Sequence, residues 1–297
     1  MTELASTDTQ DTGRVASWRL LAGNPVTVAS AVVLIVVVAV AVTAQWITPS
    51  GINDIDVPSA LQSPSGTHWF GTDELGRDVL SRVLVAIQAS MRVAVVSVAF
   101  AVVVGVAVGV IAGYRGGWVD TVFMRVVDVM FAFPVLLLAL AIVAVLGPGV
   151  TTTMLAIGVV YTPIFARVAR ASTLSVRTEP YVAVSRTMGT GHAYILMRHV
   201  LPNITGPLIV QTSLSLAFAI LSEAALSFLG LGIQPPQPSL GRMIFDSQGF
   251  VTLAWWMAVF PGAAIFVIVL AFNLLGDGLR DVLDPKQRTM LEARRQR

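Results

Sequence analysis

Five stretches of this chain run for 22 to 38 residues without an acidic or basic side chain: Leu20–Asn53, Val93–Tyr114, Val129–Ala166, Val200–Ser222 and Ser247–Gly276. About 20 apolar helical residues cross a hydrocarbon core about 30 Å thick, so each stretch is long enough to span a bilayer. Charged residues are 12% of the 297, against about 25% in soluble domains, and mean hydropathy is +0.79. Such a chain reads as an all-α polytopic membrane protein rather than one water-soluble core.

Turn residues divide the runs into spans. The first run predicts a helix over 26–47, ended by Thr48-Pro49-Ser50-Gly51. The second predicts 93–112. Gly147-Pro148-Gly149 splits the longest run into 129–146 and 150–166, because Gly/Pro clusters break helices. Spans at 207–229 and 253–275 complete a set of six. The first is too long to be the h-region of a cleaved signal peptide.

Six spans place both termini on one side. With the N terminus cytoplasmic, that side holds Arg14, Arg19, Arg115, Arg125, Arg167, Arg170, Arg177, Arg186, Arg198, Arg280, Lys286, Arg288, Arg294, Arg295 and Arg297. The opposite side holds only Arg77, Arg82, Arg92 and Arg242. This excess follows the positive-inside rule, and the mirror topology violates it. The expected organisation is a cytoplasmic tail (1–25), a first span (26–47) and an external segment (48–92). A core of five helices (93–278) with an internal loop at 167–202 follows, then a second cytoplasmic tail (279–297).

Composition removes several function classes. Without cysteine there is neither a disulfide framework nor thiolate chemistry. The only lysine, Lys286, follows Pro285 with no glycine-rich loop before it, so no Walker A motif exists and any ATP-driven work belongs to another chain. His68, His192 and His199 lack zinc-site spacing, so no metal site is expected. Membrane orientation accounts for most of the basic residues, and no nucleic-acid partner is expected.

In the internal loop, Pro180 suits the first turn of a helix and Gly189 and Gly191 its end. The prediction is a short helix over 180–188, a glycine turn, then a second helix closed by Pro202. Tyr181, Val184 and Met188 fall at i, i+3, i+7 on one side. A helix this short is marginal in water and needs a surface to dock on. Periodicity leaves open whether that surface is the chain's own spans or a partner.

The loop resembles the cytoplasmic "EAA" loop of ATP-binding-cassette importer permeases. Ala183, Val184 and Ser185 stand at the EAA positions, Gly189 at the glycine six residues after the first, and Leu201-Pro202 at the Leu-Pro. Ala183 replaces the family's glutamate, and His199 its isoleucine. Further stretches resemble the C-type permease of dipeptide/oligopeptide importers: His68-Trp-Phe-Gly-Thr-Asp-Glu-Leu-Gly-Arg-Asp-Val-Leu-Ser-Arg82, Gly113-Tyr-Arg-Gly-Gly-Trp-Val-Asp120, Glu223-Ala-Ala-Leu-Ser-Phe-Leu-Gly-Leu-Gly232 and Asn273-Leu-Leu-Gly-Asp-Gly-Leu-Arg-Asp-Val-Leu-Asp-Pro285. Nickel permeases share much of this pattern.

The resemblance implies a type I importer permease of the bacterial cytoplasmic membrane, moving di- or oligopeptides by alternating access. Its partners would be a homologous permease (as a heterodimer), two ATPase subunits using ATP and magnesium, and an external binding protein. Tyr181, Val184, Ser185, Arg186, Met188 and Gly189 become the ATPase-coupling residues. No cofactor is implied for this chain.

Other features carry two readings each. Thr72–Arg82 is expected to be an amphipathic helix capped by Thr72, with Asp73/Arg77 and Asp78/Arg82 as i, i+4 pairs. It either caps the spans or contacts an external partner. Ser97, Ala101, Gly105, Gly109 and Gly113 form a small-residue face for close helix packing, within the chain or across a dimer. Glu223 is the only ionisable residue of its span, near the external face. It either lines the translocation path or bonds locally to Ser222 or Ser227. Asp128, beside Arg125, reads as a structural ion pair. A stand-alone secondary transporter or channel would need mid-membrane charges, and beyond Glu223 there are almost none. A membrane-embedded enzyme would need a catalytic constellation that is not visible.

Overall fold

A computed structural model describes residues 24–283. Most of both expected tails, with Arg14, Arg19 and the basic cluster from Lys286 onward, lies outside these residues. The described chain is helical almost throughout. Five helices are long and apolar enough to cross a membrane, and a bent pair makes a sixth if it is counted as one span.

Helix α1 (Pro25–Ile47) starts at Asn24, whose Oδ1 accepts from the Val26 amide at 3.0 Å, with Pro25 at the first helical position. Helix α2 (Val79–Arg115) is 37 residues long, starting well before the expected residue 93. The Asp78 carboxylate caps it, accepting from the Ser81 amide at 2.8 Å. At 1.5 Å per residue it measures about 55 Å, so it projects beyond a 30 Å hydrocarbon core.

No straight helix covers 129–146 as expected. Helices α3 (Gly117–Phe131) and α4 (Val135–Leu146) meet at a 90° bend. Pro134 causes it: the ring has no N–H to donate and pushes Phe133 away from helical geometry. Gly147, at φ +90, ends α4. Helix α5 (Val150–Val176) follows, then the short α6 (Pro180–Thr187).

Pro202 does not close a helix. Helix α7 (His192–Ile195) passes through a wide turn at Leu196–Val200 into α8 (Leu201–Phe228), giving one continuous helix from His192 to Phe228. In that turn the Leu201 amide donates to the Leu196 carbonyl, five residues back rather than four. This π geometry accommodates the donor that Pro202 lacks, and Asn203 Nδ2 donates to the His199 carbonyl at 2.6 Å. Helix α9 (Leu240–Asp246), capped by Ser239, and α10 (Trp256–Leu283) complete the chain.

The most extensive helix contact is α2 against α5. The small-residue face of α2 makes it possible, so its partner lies within the chain. A Cβ added at Gly105 would lie 2.6 Å from the Phe165 Cβ, and one at Gly109 would lie 2.2 Å from the Ala166 carbonyl oxygen. Higher up, Ser97 Oγ donates to the Met154 carbonyl at 2.9 Å. Helix α1 packs on α10 in the same manner, where a Cβ at Gly278 would meet Thr27 Oγ1 at 2.2 Å. Near the end of α5, Arg170 forks onto Asp120 of α3, with Nη2 donating to Oδ2 at 2.6 Å. Asp128 pairs at 3.0 Å with Arg167 of α5, not with neighbouring Arg125.

Candidate functional site

Beneath the spans, α6 lies against its own chain by one buried side chain. Val182 is fully enclosed with Val110, Ala169, Ile195, Val200 and Ile204. Glycine geometry sets its ends: Gly189 stands at φ +77, and the Thr190 amide donates to the Ser185 carbonyl at 3.1 Å. The opposite face is bare. Tyr181 is 40% exposed, Val184 56% and Met188 79%, and Tyr194 and Met197 extend the patch along the next helix. The helix thus docks on its own chain through Val182, while the predicted stripe stays uncovered.

The other expected coupling residues surround this face. Ser185 Oγ lies 3.3 Å from His199 Nε2, and the Tyr181 ring sits tilted 5.7 Å from the His199 ring. His199 thus fills the isoleucine position by touching α6. Arg186 points elsewhere, with its guanidinium 5.0 Å from the centre of the Tyr114 ring. Sequence reasoning missed Val182, His199 and Tyr114, because these contacts join α6 to residues remote along the chain.

The segment between α1 and α2, expected to be external, differs in structure from expectation. Residues 72–78 form a tight turn, not a helix. Thr72 Oγ1 donates to the Ser59 carbonyl and accepts from the Gln62 amide, and Asp73 Oδ1 accepts from the Leu75 and Arg77 amides at 2.9 Å each. Gly76, at φ +76, forbids a continuous helix, and a Cβ there would strike the Asp56 carbonyl. Asp73 holds Arg77 at 2.6 Å as expected, but Asp78 binds His68 Nδ1 at 3.0 Å. Arg82 turns to Asp73 at 3.5 Å and to the Ile52 carbonyl at 3.1 Å. Asp73, Asp78 and Arg82 are buried, so these groups brace the cap and present no free charge outward. Burial, then the neighbouring Asp73, pushes the Glu74 carboxyl above its ordinary range. Trp256 Nε1 donates to the Thr72 carbonyl at 3.0 Å and locks the cap onto α10.

Glu223 is fully buried. Its carboxylate accepts from Ser90 Oγ of α2 at 2.5 Å and from Ser227 Oγ of α8 at 2.7 Å. The local bond to Ser227 was one of the two sequence alternatives. Ser90, 133 residues away, was out of reach of any local reading. With both oxygens engaged and no exposed surface, the carboxylate clamps two spans together. Glu223→Ala is expected to cost about 2–3 kcal/mol, the loss of two charge-assisted bonds and a buried void. Glu223→Gln should retain most of the stability. Thermal unfolding of the detergent-solubilised chain distinguishes them, and equal midpoints for Ala and wild type would refute the clamp.

Among the described residues no group of three or more His, Asp or Glu could hold a metal ion. The described residues form a bundle of apolar helices, a short helix pinned by Val182 with one uncovered face, and a closed cap braced by Asp73, Asp78 and Arg82, the architecture of a polytopic membrane subunit.

The chain belongs to the family described as "Binding-protein-dependent transport system inner membrane component", whose model matches residues 105–289. A second model, "N-terminal TM domain of oligopeptide transport permease C", matches residues 14–64. The chain is 40% identical over 279 residues to the dipeptide transport system permease protein DppC of Alkalihalophilus pseudofirmus, covering 93% of this chain and 92% of that one. It is 42% identical over 267 residues to the probable D,D-dipeptide transport system permease protein DdpC of Escherichia coli K12, covering 90% of each. The glutathione transport system permease protein GsiD of Escherichia coli O6:K15:H31 is 43% identical over 270 residues, covering 91% of this chain and 89% of that one. The inward-facing MetNI methionine ABC transporter shares the fold at TM-score 0.57 and 18% identity, covering 69% of this chain and 96% of that one. The protein is a permease subunit of a binding-protein-dependent ABC importer, and it sits in a membrane.

Proposed function

We propose that this chain is one transmembrane half of an importer for short peptides, with both termini in the cytoplasm of a bacterium. The uncovered Tyr181/Val184/Met188 face carries the coupling part of the reading. An apolar stripe on a helix already pinned from behind by Val182 is a surface prepared for a second protein. Two ATPase subunits would grip this face and its counterpart on a homologous permease, while an external binding protein delivers cargo to a path between the two permeases. ATP binding drives transport only if it favours one access state over the other. The ATP and magnesium belong to those ATPases. Relatives named for dipeptide and glutathione transport support a short peptide rather than nickel as cargo.

The chain lacks cysteine, so a single introduced thiol reports position cleanly. Thr187→Cys, exposed at the end of α6, is expected to react with a membrane-impermeant maleimide only in inside-out vesicles. A bifunctional cross-linker from the same thiol should capture a protein containing a Walker A motif. Labelling from outside would overturn the orientation. Capture of no ATPase would overturn the coupling role.

A further inference from the structure

A cleft of about 600 Å³ opens between the inner end of α2 and the start of α7. Its apolar wall includes Ile111 and Leu196, and its rim carries Arg115, Arg186 and His192. Among the described residues, neither Arg115 nor Arg186 takes part in an ion pair. By contrast, Arg167 and Arg170 on the adjoining α5 have carboxylate partners, and Arg177 donates to the Gly113 carbonyl at 2.8 Å. Two cations without a carboxylate partner therefore share the rim of this one opening.

Tyr114 organises the rim. Its hydroxyl lies 3.0 Å from His192 Nδ1, and its ring supports the Arg186 guanidinium at 5.0 Å. Nδ1 is engaged in that contact, which leaves His192 Nε2 for a further partner. Trp118, 78% exposed just past the end of α2, suits the headgroup level of a membrane. A cationic rim over an apolar wall, at the foot of a span, matches an anionic amphiphile better than a soluble ion.

We propose that this cleft binds the phosphodiester headgroup of an anionic inner-leaflet phospholipid. The Arg115 and Arg186 guanidinium groups would take the phosphate, and Ile111 and Leu196 would cover the first part of the acyl chain. The proposal rests on the orientation given above, which puts the cleft at the inner leaflet. Because Arg186 belongs to α6, the bound lipid would brace the segment that meets the ATPase.

The test uses the complete transporter purified in mild detergent and examined by native mass spectrometry after exposure to phosphatidylglycerol, phosphatidylcholine or inorganic phosphate. Retention of phosphatidylglycerol over phosphatidylcholine is expected, with no displacement by inorganic phosphate at equal concentration. Arg115→Gln should weaken retention about fivefold, as expected for one cation lost near an anionic headgroup. Arg92→Gln, roughly six turns from Arg115 along α2, should leave it unchanged. Equal retention of both lipids, displacement by phosphate alone, or insensitivity to Arg115→Gln would overturn the assignment. The Thr187→Cys labelling is run on the same preparation. A wrong orientation there removes the basis for an inner-leaflet lipid, whereas a correct one with no selective retention refutes the lipid site alone.

Discussion

Gly109→Leu is expected to leave almost no correctly folded chain in the membrane. Helices in lipid gain little from burying apolar surface, so close backbone approach and van der Waals contact hold them together. At Gly109 even a Cβ would lie 2.2 Å from the Ala166 carbonyl oxygen and 2.8 Å from the Ala169 Cβ. The first obstacle is backbone, which cannot rotate aside as a side chain does. Relief requires α2 and α5 to separate along their length, disturbing the fits at Gly105 and Gly113 and the Ser97 bond to Met154. Overpacking a core costs about 1–3 kcal/mol where neighbours can adjust, and this site exceeds that range because they cannot. Gly262→Ala on α10 is the matched control: no atom lies within 4 Å of its added Cβ, and alanine favours the helix by about 1 kcal/mol. Fluorescence-detected size exclusion of tagged variants should show the Gly109→Leu peak lost and the Gly262→Ala peak retained. A normal, thermally stable Gly109→Leu peak would show that the α2–α5 contact is not what holds the bundle.

The second large effect separates folding from coupling. Val184→Asp combined with Met188→Asp is expected to abolish uptake and release the ATPase subunits while the permease stays folded and inserted. Both side chains are more than half exposed, so the change costs the chain itself little. Apolar anchors at the centre of an interface contribute about 2 kcal/mol or more each, so each loss weakens the assembly roughly thirtyfold. Val182→Asp should behave differently. It buries a carboxylate among Val110, Ile195 and Val200 and should unseat α6, lowering the melting temperature as well as transport. Transport at wild-type rate in the double aspartate variant would remove α6 from the coupling role. Equal melting losses in both variants would mean that the stripe is part of the core.

Charge-free runs made the spans legible, because the bilayer excludes ionised groups wherever the chain crosses it. They mark hydrocarbon, not helix, and that explains the boundary errors. Val79–Arg92 is helical although Arg82 and Arg92 lie within it, and the signal for its start was the Asp78 cap. Phe133-Pro134 carries the signal for the bend between α3 and α4, but Gly147-Pro148-Gly149 is the more conspicuous break nearby. Pro202 predicts a stop because proline normally is one, but a wider turn and the Asn203 side chain absorb it. In the outer cap, spacing suggested exposed i, i+4 pairs, whereas long-range partners decided the outcome: His68 for Asp78, the Ile52 carbonyl for Arg82. The stripe at Tyr181, Val184 and Met188 was legible because a short helix has one period. The residue that pins it, Val182, was not, since its neighbours come from three other helices.

The unbroken helix from His192 to Phe228 has a mechanical consequence. It starts beside the α6 turn and carries Glu223, bolted to Ser90, near its far end. At 1.5 Å per residue this strut is about 55 Å long. The wide turn at Leu196–Val200 lies near its base, the natural fulcrum. A few degrees of tilt imposed at the foot by a closing motor would arrive at the tip as a sideways sweep of several ångströms, and the carboxylate bolt would drag α2 with it.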